Sequence, residues 1–187
     1  MFVKNIVKLS AEFLNLKDVV DYINGDIEAS EELLSEVNNL VLAVSMVNNN
    51  IASSYIELIA KTKITNCSGL IGFSKISNKS IIEIKKVTTL NGEDLNFSLS
   101  PDGVTIANSE SCIIEYSYFP DMVSLDDEIV HYLKVNEMVF ALGVVGEYLY
   151  IKGAIDDAYM WDKRFKSSMF NLIRPKRSIV MPAKRWE

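Results

Sequence analysis

Apolar residues recur along this chain in two rhythms, and the change from one to the other divides it. Phe2, Ile6, Leu9 and Phe13 are three or four residues apart, and Val19, Val20 and Ile23 resume that spacing after Asn15-Leu16-Lys17. Such spacing predicts helix over residues 2–24, in one piece or two. Asn24-Gly25 closes it, because glycine accepts the left-handed conformation common at helix ends. A second helix is expected from Ser30, with Glu31 and Glu32 in the first turn, where the helix dipole favours negative charge. Leu33, Val37, Leu40, Val44, Val47, Ile51, Tyr55 and Leu58 form its inward stripe. Asn48-Asn49-Asn50 is expected on its polar outer face.

Between Lys61 and Pro120 the rhythm shortens. Apolar and β-branched runs at Leu70–Phe73, Ile81–Val87, Leu95–Leu99, Val104–Ala107 and Cys112–Tyr118 are separated by Ser77-Asn78, Asn91-Gly92, Pro101-Asp102-Gly103 and Asn108-Ser109. Runs and turns of this kind predict four to six short strands in a small antiparallel sheet or barrel. Phe97 and Leu99 alternate with Asn96 and Ser98, the period of a half-buried strand.

Helical spacing then returns. Ser124 with Asp127 three residues on resembles a capping box, and predicts that a third helix opens there. Glu147 is the only charge from Met138 to Ile151. That run is shorter than the roughly 20 apolar residues of a membrane span. Being apolar all round, it is expected to be buried on several sides, with Gly143 and Gly146 marking close approach of another backbone. After a turn at Gly153, a fourth helix over residues 155–173 carries Ala158, Trp161, Phe165, Met169 and Leu172 on one stripe, and Pro175 ends it. Val44, Val47, Ile51, Phe140, Val144, Trp161 and Phe165 are expected to share one core.

The predicted fold is therefore α+β. A four-helix body (1–60 and 121–174) holds a small antiparallel β insert (61–120) between helices two and three, and an extended C-terminal arm (175–187) follows. With 187 residues, 49% of them apolar, the chain has enough apolar material for one ordinary core and too much for disorder.

Charge sharpens the picture of the arm. The net charge is −6, yet residues 161–187 carry +6, leaving −12 for residues 1–160. An acidic body with a basic end can bind copies of itself head to tail. Lys176, Arg177, Lys184 and Arg185 supply charge in the arm, while Ile179, Met181 and Trp186 are apolar groups that make sense under a partner. These seven residues are the expected intersubunit contacts. The acidic balance also argues against a general nucleic-acid binder.

Chemistry is thinly represented. His131, the single histidine, has no nucleophile or metal-ligand companions at a readable spacing. Asp126-Asp127-Glu128 and Asp156-Asp157 fall at predicted helix starts, where capping explains them. Cys67 and Cys112 do not make a disulfide framework, and reduced thiols in a cytoplasmic setting are expected. The opening Met-Phe-Val-Lys-Asn lacks the parts of a signal peptide, so a soluble, non-secreted protein is expected. Glu147 is the one carboxylate expected in apolar surroundings. Its raised pKa could serve catalysis, though pairing with a basic residue on the last helix is the more ordinary explanation. No enzyme activity and no cofactor are expected.

The order of elements, and above all Glu147-Tyr148-Leu149 leading through Gly153 to residues 157–165 (DAYMWDKRF) and then Lys184-Arg185-Trp186, resembles the head-to-tail adaptor (connector) proteins of tailed bacteriophages. The likeness is nearest to the adaptors of short-tailed phages. It implies a virion structural protein at the head–tail junction, present in the bacterial cytoplasm during assembly. Copies would form a homo-oligomeric ring, a dodecamer, beneath the portal protein. That ring would continue the DNA channel without sequence-specific binding, offer a platform to tail proteins and touch no membrane. Two other classes remain open: a nucleic-acid module acting through the basic tail, and a small virion hydrolase using Glu147 and His131.

Overall fold

In this computed structural model residues 1–67, 69–106, 111–130, 132 and 134–173 are described. The first helical stretch divides at Asn15, whose φ of 56° lies in the left-handed region. It yields α1 (Val3–Phe13) and α2 (Lys17–Asn24). Gly25, at φ 88°, closes α2, its N–H and that of Asp26 reaching back to the carbonyls of Tyr22 and Asp21. Ser30 Oγ accepts from Leu33 N–H at 3.2 Å and starts α3 (Glu31–Ser54).

α3 is shorter than its apolar stripe predicts. Leu58 is buried in the helical core, but the chain has already left the helix at Tyr55. Sheet pairing takes over at Leu58, whose carbonyl accepts from Tyr118 N–H at 3.1 Å. The asparagine run also differs from expectation. Asn48 faces inward and is buried, its carbonyl accepting from Tyr132 Oη at 3.2 Å.

Six strands follow: β1 (Ile59–Thr65), β2 (Gly69–Gly72), β3 (Ile81–Thr89), β4 (Phe97–Ser100), β5 (Gly103–Ile106) and β6 (Ser111–Tyr118). The short helix α4 (Phe73–Ile76) lies between β2 and β3. All pairings are antiparallel, in two three-stranded sheets of order β1-β6-β3 and β2-β5-β4. β1 is the strand that the apolar runs do not reveal. Lys61 and Lys63 alternate with Thr62 and Ile64, and only the second pair is turned partly inward. One core serves both sheets: Ile71, Val104 and Ile106 from one meet Ile84, Val87, Cys112 and Ile114 from the other. The alternation expected at Phe97 and Leu99 fails, since Leu99 is 58% exposed.

No helix forms at Ser124. Its capping pattern is real, with Ser124 N–H donating to Asp127 Oδ2 at 2.6 Å. The backbone beyond is claimed by the start of the chain: Val3 N–H donates to Asp127 O, and Ile129 N–H to Met1 O. With Phe2 bridged to Glu128 in antiparallel fashion, residues 127–129 are held extended and cannot enter a helix. Helix resumes only at α5 (Glu137–Ile151), capped by Asn136, and continues in α6 (Ile155–Ile173).

The expected four-helix body with a small β insert between its second and third helices is thus corrected. Six helices are present among the described residues. The strands follow α3 as two complete sheets with their own core. The division at Asn15 and the short α4 within the strand region account for the two additional helices. The pairing of residues 1–3 with 127–129 delays the start of the expected third helix to Glu137. The predicted arm, residues 175–187, lies outside the described residues. Among those described, no helix is long and apolar enough to cross a membrane.

Candidate functional site

α5 sits between α1, α3 and α6, which explains its lack of a polar face. Phe140, Ala141, Val144 and Val145 are fully buried. A Cβ on Gly146 would stand 3.3 Å from the backbone nitrogen of Asp162, so this glycine lets α6 approach closely. At Gly143 a Cβ would meet side chains instead, Val47 Cγ1 at 3.0 Å and Phe165 Cδ2 at 3.1 Å.

α6 returns along α5 after a tight turn, with Gly153 at φ 78°. Ala158, Phe165 and Met169 are its buried residues. Trp161 is only half-buried, and this corrects its place in the expected core. It stacks on Phe13 with ring centroids 5.5 Å apart, and the Arg164 guanidinium lies 5.0 Å from its centre. The six other residues of that expected core do belong to one cluster.

A second row containing exposed apolar residues flanks the inward stripe of α6, interrupted by the Asp162–Lys166 ion pair. Ile155, Tyr159, Lys166, Phe170 and Ile173 follow at spacings of four, seven, four and three, which keeps them on one stripe. Ile155 is 66% exposed and Tyr159 60%. Tyr150, Ile151 and Met160 are exposed toward the same end of α6, and Phe170 and Ile173 at its other end. Lys163, Arg164 and Lys166 add positive charge. Sequence reasoning missed this stripe by assigning α6 a single inward face. A count of apolar positions on both sides of residues 155–173 would have found it.

An acidic surface lies where α2 packs on α1 and α3. Between Asp18 and Glu36 stand seven carboxylates and no lysine or arginine. A cleft of about 450 Å³ opens there, lined in part by Lys17, Asp18, Ser30, Glu32 and Glu36. Glu36 anchors it. Tyr148 Oη donates to one carboxylate oxygen and Lys152 Nζ to the other, tying the start of α3 to the end of α5. Burial pushes the Glu36 pKa up, but these two hydrogen bonds and the Lys152 charge outweigh it and hold the group below its ordinary value.

Glu147 faces α6. Burial holds its carboxyl above the ordinary range, Asp162 adds to the rise, and Lys166 works against it. Lys166 itself pairs with Asp162 at 2.7 Å. The expected pairing of Glu147 with a basic residue of the last helix is not made: Lys166 lies near enough to be felt, but its ion pair is with Asp162. His131 lies outside the described residues, as do Lys176, Arg177, Ile179, Met181, Lys184, Arg185 and Trp186. Among the described residues no group of three or more His, Cys, Asp or Glu side chains is placed to hold a metal ion. Cys67 and Cys112, far apart in sequence, meet in the β core with Sγ atoms 2.7 Å apart.

No protein-family model matches the chain, and no curated protein sequence is similar to it.

Proposed function

We propose that the chain is a head-to-tail adaptor of a tailed bacteriophage, a structural subunit whose copies form a dodecameric ring beneath the portal. The ring joins the DNA-filled capsid to the tail and continues the DNA channel. Each copy sets the outer stripe of α6 on the 18–36 segment of its neighbour, so that Ile155 and Tyr159 are covered while Lys163, beside the stripe, faces carboxylates. A contact between two different patches of one chain is heterologous, and such contacts close into a ring when the rotation allows. The basic arm at 175–187 reaches onto the next subunit or the portal. Acidic surface toward the channel repels phosphate, which lets DNA slide past.

The observation that carries this reading is the exposed apolar residues flanking the inward stripe of α6, together with an acidic segment, residues 18–36, elsewhere in the same chain. The Asp162–Lys166 ion pair divides the outer stripe into two apolar ends, Ile155 with Tyr159 and Phe170 with Ile173, and exposed apolar clusters of this kind mark interaction surfaces. Negative-stain microscopy of the protein concentrated at low salt, alone and with the portal protein of its own genome, tests it. Rings with a central hole are expected. Isolated monomers under both conditions would overturn it.

A further inference from the structure

We propose that Cys67 and Cys112 are a disulfide site, an oxidisable clasp that closes the core of the β region. The backbone brings them together by a specific route. β1 ends at Thr65, and Asn66, with φ 60°, turns the chain back over the strand it has just left. Cys67 Sγ then lies 3.2 Å from Ile64 O, and Ile64 is the residue paired with Cys112 across β1 and β6. The two sulfurs are therefore neighbours by strand register as well as by distance. At 2.7 Å they are closer than the roughly 3.5–4.0 Å at which unbonded heavy atoms pack best. Both side chains are fully buried, so they face each other with no solvent between them.

The oxidant is a small-molecule disulfide such as oxidised glutathione. One protein thiolate attacks it, forming a mixed disulfide and releasing one small thiol. The second protein thiolate attacks the protein sulfur of that mixed disulfide and releases the other. The oxidant's S–S bond breaks, the Cys67–Cys112 bond forms, and the two thiol protons end on the two released thiols. The protein loses two electrons and the small disulfide gains them.

Burial, with the hydrogen bond to Cys67 behind it, pushes the Cys112 thiol up to about 12. In the closed fold it stays protonated and inert. The reaction therefore passes through transient opening of the β region, or takes place during folding. For a particle assembled in a reducing cytoplasm and then released, the clasp would close after assembly. The chemistry itself does not depend on the adaptor reading.

The test is to refold the full-length protein in glutathione buffers from fully reducing to fully oxidising, quench with acid, and measure intact mass and a non-reducing peptide map. The expected product is a monomer lighter by two hydrogens, with a single Cys67–Cys112 link. Its melting temperature should rise on the order of 10 °C, as for closure of a loop of this length in a chain of this size, and return on reduction. Cys67→Ser and Cys112→Ser should each form no internal link and show no oxidant-dependent shift. Two free thiols in the fully oxidising buffer would overturn the proposal. So would a glutathione adduct on one cysteine, a link between copies, or an internal link that lowers the melting temperature.

Discussion

α5 and α6 are consecutive helices of one hairpin, and both are rich in apolar residues, yet they use them differently. α5 is apolar nearly all round, and three neighbours in the same chain cover it from Val139 to Tyr148, leaving Met138, Tyr150 and Ile151 exposed at its ends. α6 has two apolar stripes, of which its own chain covers one. Ala158, Phe165 and Met169 are buried while Ile155 and Tyr159 stay exposed. A nearly uncharged helix packed among three others is thus a weaker sign of assembly than one with apolar rows on two sides and a single main packing partner. The first kind can be satisfied within the fold. The second leaves a surface that another molecule can cover.

The largest expected effect is at the inward stripe. Phe165→Ala removes a fully buried ring that also meets Tyr55 edge-on at 6.0 Å. It should cost about 3–5 kcal/mol in urea denaturation. A loss below about 1 kcal/mol, the usual scale of surface changes, would mean that the two stripes of α6 do not differ as described.

Gly146→Val should rank next. A branched side chain there pushes against the backbone at Asp162, and about 1–3 kcal/mol is expected from such overpacking. An unchanged denaturation midpoint would show that the helices are not in close contact there.

Two carboxylates near the end of α5, Glu36 of α3 and Glu147, then respond to pH with opposite sign. Glu36 is held below its ordinary value, so its stabilisation is complete above the unfolded-state value and fades as pH falls through the lower folded one. About a third of the side chain is exposed, so solvent screening limits Glu36→Gln to about 1 kcal/mol at neutral pH. That difference should vanish in acid. Glu147 has the opposite sign. With its folded value raised, stability falls as pH climbs from the unfolded value to the folded one, and Glu147→Gln should remove that fall. The gain is a few tenths of a kcal/mol after screening. Stability measured from about pH 2 to 7 checks both, and like-signed slopes would contradict the account.

Much of the helical architecture was legible because its signals are local. Ser30 caps α3, Gly25 closes α2, and Gly153 turns α5 into α6, each by backbone preferences that act within a few residues. What failed was decided at long range. The capping box at Ser124 forms, but residues 1–3 hold the following backbone extended, and no local pattern announces that pairing. β1 escaped notice because its lysines alternate with small or partly buried residues on a strand at the sheet edge. For the candidate site, the chosen arm residues fall outside the described structure. The stripe on α6 was readable in the spacing of Ile155, Tyr159, Phe170 and Ile173, and went unread because one amphipathic face seemed sufficient.

The central claim is that the outer stripe of α6 joins copies of the chain, and sedimentation of an Ile155→Glu/Tyr159→Glu double variant tests it most directly. Both side chains are well exposed, so the melting temperature should stay close to that of the native protein. At low salt the native protein should sediment as a closed oligomer and the variant as a monomer. A variant that assembles as well as the native chain, while remaining folded, would contradict the account.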